Sequence, residues 1–231
     1  MVFLSGQHEV TLSRKKQHAD EFTPIAPKPR SEVRLRNDTQ IQAYRVFPKS
    51  DVTFLLGPAG TGKSFVAMAL AVREIEEGRA KKIVLTRPIV ESGESLGYLP
   101  GDLKAKTDEY MAPLFAQLDK LKEKERYEFV KQYVEVAPIA YMRGRTFEDS
   151  ICVFDEAQNA TMRQLKMYLS RLGENSKIII TGDLDQKDIP NSGLSDVIER
   201  IHDLNGIQLL TFSPSDNVRH PVVERILSRL P

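Results

Sequence analysis

Gly57-Pro58-Ala59-Gly60-Thr61-Gly62-Lys63-Ser64 is the stretch of this 231-residue chain whose residue types most clearly prescribe a chemistry. Glycines let backbone N–H groups turn inward around oxyanions, a lysine brings a point charge on a flexible stem, and a serine hydroxyl beside it suits a hard cation. The string follows the apolar run Val52 to Leu56 and opens a helical stretch, Ser64 to Glu77, whose N-terminus adds its partial positive charge. A glycine-rich turn that merely joined strand to helix would have no use for the lysine. The expected ligand is the phosphate chain of ATP: Gly57 to Ser64 form the cradle, Lys63 reaches the β and γ phosphates, and Ser64 binds Mg2+.

A second constellation supplies what hydrolysis needs. The apolar run Ile151 to Phe154 ends in Asp155-Glu156, placing two carboxylates at the carboxyl end of a strand, where ligands of open α/β sheets bind. Asp155 suits the water shell of Mg2+, and Glu156 is placed to orient or deprotonate the water that attacks the γ-phosphate. An acidic helix cap is the plainer alternative. The glutamate favours hydrolysis over transfer to a small acceptor, which needs no activated water. Ile178 to Ile180 likewise run into Thr181-Gly182-Asp183-Leu184-Asp185-Gln186, where Gln186 is a candidate γ-phosphate sensor and Asp183 and Asp185 could equally be turn formers. Arg143, Arg145 and Arg219 are candidates to complete the phosphate site, with a surface ion pair an equal reading for Arg219.

These groups need a scaffold that brings strand ends together. Val52 to Leu56, Ile83 to Thr86, Ile151 to Phe154, Ile178 to Thr181 and Ile207 to Phe212 are β-branched runs suited to buried parallel strands. Ser64 to Glu77, Met111 to Leu121, Thr161 to Leu172 and Ser192 to Asp203 are long enough to cross back as helices. Leu114, Leu118 and Leu121 make one buried stripe, and Lys120 to Lys131 is crowded with both charges. The expectation is a three-layer, doubly wound, mainly parallel α/β domain over residues 37–231, preceded by an extended or partly ordered arm over 1–36 with a basic cluster at Arg14-Lys15-Lys16.

Composition narrows the class. With 41% hydrophobic and 28% charged residues the chain is ordinary for a globular protein, and 33 basic against 32 acidic residues leave no global field for a polyanion. The single Cys152 lies in an apolar run and reads as a core residue in a reducing compartment. Neither a long apolar span nor a signal sequence is evident, so the cytoplasm is the expected location and no membrane partner is expected. The histidines do not cluster at zinc-ligand spacing.

Asp155-Glu156-Ala157-Gln158-Asn159 and Thr181-Gly182-Asp183-Leu184-Asp185-Gln186 resemble superfamily 1 helicase motifs. Thr86-Arg87-Pro88, Gly93 to Gly101, Arg143-Gly144-Arg145-Thr146-Phe147 and Val218-Arg219-His220-Pro221 narrow the resemblance to the PhoH-like family of P-loop ATPases, from about Asn37 to near the end of the chain. That resemblance implies a RecA-like core, ATP and Mg2+ binding, ATPase activity, a link to RNA and, in some members, ring assembly. It also marks Gln40 as similar to an adenine-reading glutamine. Longer members carry an RNA-binding or nuclease domain for which 231 residues leave no room, so RNA cleavage is not expected.

One phosphate loop with length for one core would leave an ATP site of the two-core helicase type half open. A head-to-tail homo-oligomer closing into a ring, with a hexamer among its possible sizes, would complete it with an arginine from the neighbour. The leading expectation is an ATPase acting on single-stranded nucleic acid, RNA first, with Thr86-Arg87 and Arg143 to Arg145 as contacts. A P-loop small-molecule kinase and a non-hydrolysing nucleotide switch are the alternatives.

Overall fold

The computed structural model describes residues 33–88, 103–121, 124–186, 189–227 and 229. The Arg14-Lys15-Lys16 cluster and the string Gly93 to Gly101 lie outside them, as does most of the expected N-terminal arm. Its last residues, from Val33 to Arg36, form no helix or strand, and Val33 packs on the core.

Six strands form one sheet: β1 (Val52–Leu56), β2 (Lys82–Thr86), β3 (Val134–Val136), β4 (Ser150–Phe154), β5 (Lys177–Gly182) and β6 (Ile207–Thr211), in the order β3-β2-β4-β5-β1-β6. Every pairing is parallel. β1 and β4 are buried along their whole length, as strands covered on both faces must be. The doubly wound, RecA-like α/β fold expected from the sequence is thus the one observed. β3 was not expected: it is a three-residue, half-buried edge strand with Glu135 at its centre, too short and too polar to show an apolar run.

Helices α1 (Asp38–Val46), α2 (Lys63–Glu76), α3 (Leu103–Lys120) and α4 (Lys124–Lys131) belong to one face. Helices α5 (Met162–Leu169) and α6 (Leu194–Ile201) cover the other, and α7 (Pro221–Leu227) ends the described fold. From Val66 to Val72 no residue of α2 is more than 2% exposed, so this helix is enclosed by the sheet, α1 and α3, which fixes the loop at its N-terminus. The stripe Leu114, Leu118 and Leu121 faces the core as predicted. α3 starts well before the expected Met111 and contains Pro113, which removes one helical N–H without ending the helix. α5 starts with a capping box, in which the Thr161 hydroxyl and Gln164 side chain each take the other's backbone N–H.

Cys152 is a core residue, and burial pushes its thiol up to about 12, so it is neutral and unreactive in the native fold. No helix among the described residues is long and apolar enough to cross a membrane.

Candidate functional site: a phosphate loop facing a buried aspartate

The loop between β1 and α2 has the shape that its residues prescribe. Gly57, Gly60 and Gly62 take positive φ of 130°, 88° and 86°. Gly62 serves as the N-cap of α2 without a side-chain cap, and the first turn carries no acidic residue, so the helix's free N–H groups and dipole face the cradle unopposed. Thr61 Oγ1 donates to the Pro58 carbonyl at 2.9 Å, and Lys63 Nζ to the carbonyls of Gly57 and Pro58 at 2.6 and 2.8 Å. The lysine is thus folded back over its own loop. Burial pulls its ammonium below the usual lysine range and Arg219 adds to that, whereas the carboxylates of Asp183, Glu156 and Asp155 oppose it.

Asp155 lies past the end of β4 and is only 2% exposed. Its Oδ1 accepts from Ser64 Oγ at 2.7 Å and from Thr181 Oγ1 at 2.5 Å, joining the loop of β1 to the ends of β4 and β5. Glu156 follows with φ of 56°, a left-handed conformation uncommon outside glycine, which turns its side chain off the strand direction. Its N–H donates to Thr181 Oγ1 at 3.3 Å, and its Oε1 lies 3.8 Å from an Arg87 guanidinium nitrogen. Asp183 is 5% exposed: Oδ1 accepts from the N–H of Asp185, a turn-forming bond, whereas Oδ2 is buried without a partner. A hard cation takes oxygen donors, few of them from protein when it is Mg2+. The Ser64 hydroxyl, the Asp155 carboxylate and the orphan Asp183 oxygen fit that chemistry. Among the described residues no group of three or more His, Cys, Asp or Glu side chains forms a protein-only metal cage.

The loop is held from both ends of the domain. Gln40 of α1 is 1% exposed; its Nε2 donates to the Thr61 carbonyl at 3.0 Å and its Oε1 accepts from the Arg36 N–H at 2.9 Å. Both ends of the amide expected to read adenine are therefore engaged with the chain itself, and in this conformation Gln40 props the phosphate loop. On the other side Val218 N–H donates to the Gly60 carbonyl at 3.0 Å, and a methyl built on Gly60 would meet Arg219 Cδ and Nε at 2.7 Å. Arg219 thus lies over the phosphate loop of its own chain. Asn37 and Thr39 bond Asp216 at 2.9 and 3.0 Å, clasping the two flanks together.

Of the remaining candidates, Gln186 is exposed in the loop after β5. Thr86 is fully buried and donates to the Ala137 carbonyl at 3.1 Å, so it is closed to a polymer, whereas Arg87 is half-buried with Glu156 beside it. Arg145 pairs with Glu135 and lies over the Phe147 ring, whereas Arg143 is exposed. The site also uses Thr181 and Gln158, which were given no role from sequence, and Asp183, which was read as a turn former and makes that turn bond but also carries a buried oxygen without a partner. Their signal was a polar cluster directly after an apolar strand, which marks a site without saying which side chain turns inward.

Fold and site together define a P-loop nucleotide-binding protein of the ATPase type. Residues 32–230 match the family model described as PhoH-like protein, and the chain belongs to that family. It is 43% identical to a PhoH-like protein of Synechocystis sp., over 97% of this chain and 70% of that one. With a PhoH-like protein of Bacillus subtilis it shares 44% identity over 84% of this chain and 63% of the relative. With Protein PhoH of Escherichia coli K12 it shares 38%, over 85% and 58%. The chain therefore spans between 58% and 70% of the length of these relatives. Among solved structures it is similar to a Sulfolobus solfataricus SWI2/SNF2 ATPase core in complex with dsDNA, with TM-score 0.43 and 17% identity over 70% of this chain and 34% of that one. It is also similar to Bacteroides Pif1 bound to ssDNA, with TM-score 0.36 and 12% identity over 85% and 46%.

Proposed function

We propose that this chain hydrolyses ATP with Mg2+ and couples hydrolysis to single-stranded nucleic acid, RNA in the first place. The observation that carries the hydrolytic half is the convergence of Ser64 and Thr181 on buried Asp155, with Glu156 next to it and Lys63 folded over the adjoining phosphate loop. Mg2+ held through Ser64 and Asp155 would supply positive charge to the phosphate oxygens. Lys63, released from the Gly57 and Pro58 carbonyls, adds its own charge, and Glu156 directs the water. Glu156 and the polar cluster from Asp183 to Gln186 after β5 favour this reading over a kinase.

The nucleic-acid half is supported by Arg87 just after β2 and by exposed Arg143 beside Gly144, on a chain whose formal net charge is only +1. Single-stranded RNA is expected to stimulate phosphate release several-fold, and that stimulation is expected to fade as salt rises from 50 to 200 mM, as counterion release requires. Phosphate release measured with RNA, with single-stranded DNA and with neither checks this. Equal rates in all three would remove the coupling, transfer only to an added small acceptor would identify a kinase, and binding without release would identify a switch.

A neighbouring subunit completes the site in a head-to-tail ring. Because Arg219 lies on its own Gly60, the arginine offered in trans comes from elsewhere on the surface. Light scattering with Mg2+ and a nonhydrolysable ATP analogue is expected to give several protomer masses; full turnover by a strict monomer would rule the ring out.

A further inference from the structure

Gln158 lies on the short turn Ala157–Asn159 directly after Glu156 and is only 5% exposed. Its amide faces two ways. Nε2 donates to Glu156 Oε2 at 2.5 Å, and Oε1 accepts from the Asp183 backbone N–H at 3.1 Å. A carboxylate only accepts and an N–H only donates, so the orientation of the amide is determined by its partners. The backbone of β5 has to come close for this to occur: a methyl on Gly182 would meet Leu194 Cδ2 at 2.6 Å and Gln158 Oε1 at 3.4 Å.

The consequence concerns Glu156. Its side chain is 39% exposed, so packing alone does not stop it rotating. Gln158 pins one carboxylate oxygen and leaves Oε1 toward Arg87, and the same amide is tied to the first residue of the loop that carries Gln186. We infer that Gln158 is a positioning residue, which fixes the Glu156 carboxylate and links it to the strand end at Asp183, so that a shift of that loop reaches the carboxylate through one side chain. This rests on the ATPase reading and deepens it.

Two substitutions separate the link from simple satisfaction of a buried amide. Gln158→Met removes both bonds at similar volume. Gln158→Glu keeps an acceptor for the Asp183 N–H and removes the donor to Glu156. Both are expected to lower kcat about tenfold to a hundredfold, with KM for ATP and the Kd of a fluorescent nonhydrolysable analogue changed less than about twofold. In a Glu156→Gln background the Met substitution is expected to add little further loss, as for two residues acting through one group. Wild-type kcat in Gln158→Glu, equal losses in kcat and nucleotide affinity, or fully multiplicative losses in the double variant would each overturn the inference. A parent protein that binds ATP but releases no phosphate would instead overturn the ATPase reading on which it stands.

Discussion

Glu156→Gln is expected to slow ATP turnover about a thousandfold while leaving ATP affinity within a few-fold of the parent. The substitution keeps the shape of the side chain and removes only the charge able to direct or deprotonate water. Shape matters here because residue 156 sits at φ of 56°, where a non-glycine residue already carries strain, and its N–H is bonded to Thr181. The groups expected to bind the nucleotide are elsewhere: the loop joins β1 to α2, Lys63 opens α2, and Asp155 is held by Ser64 and Thr181 without help from the glutamate. A thousandfold loss corresponds to about 4 kcal/mol of barrier, within the range of a positioned general base. Single-turnover phosphate release beside equilibrium nucleotide binding distinguishes the outcomes. Undiminished release would remove Glu156 from the chemistry, and parallel loss of release and binding would make it a binding residue. Lys63→Ala is the contrasting variant, in which binding itself is expected to fall.

The parts of this site that were legible in the sequence are those where one local segment prescribes one job. The phosphate loop is such a case, since its glycines, lysine and serine lie within eight residues of a strand end, and β1 spans the five residues that its apolar run marks. Asp155 and Glu156 were legible for the same reason. What escaped was tertiary. Gln40 is 21 residues from Thr61, and its neighbours in α1 are mostly polar, so nothing local says that its amide would prop the loop. Arg219 reads equally as a surface charge or as a finger for a neighbour; only the return of the chain past β6, with Val218 bonded to Gly60, lays it across its own cradle. Gln158 and Asp183 belong to different strand ends and meet because β4 and β5 are adjacent in the sheet. Strand order, unlike strand location, is not written in hydrophobic periodicity.

That return of the chain makes the glycines of the loop unequal, and Gly57→Ala is expected to be the most disruptive single-methyl change in it. Gly57 has φ of 130°, which side chains rarely adopt, and its N–H donates to the Gly182 carbonyl at 3.1 Å. A Cβ there would overlap the carbonyl oxygen of Phe212, a buried residue whose own N–H is bonded to Leu56 at 2.7 Å. Neither backbone can yield without opening the β1–β6 edge where the loop begins. Backbone strain and overlap together are expected to cost about 3 kcal/mol or more, lowering Tm by roughly 6 to 12 °C, and nucleotide binding is expected to be lost with the loop geometry. Gly60→Ala is the control. Its φ of 88° also carries strain, but the atoms in the way are Cγ, Cδ and Nε of the exposed Arg219 side chain, which can swing aside. About 1 kcal/mol is expected there. Thermal melts and nucleotide titrations of the two variants decide the matter: equal Tm losses would mean that backbone strain alone governs the loop, and a Gly57→Ala protein with parental Tm and ATP binding would show that Phe212 does not hold it.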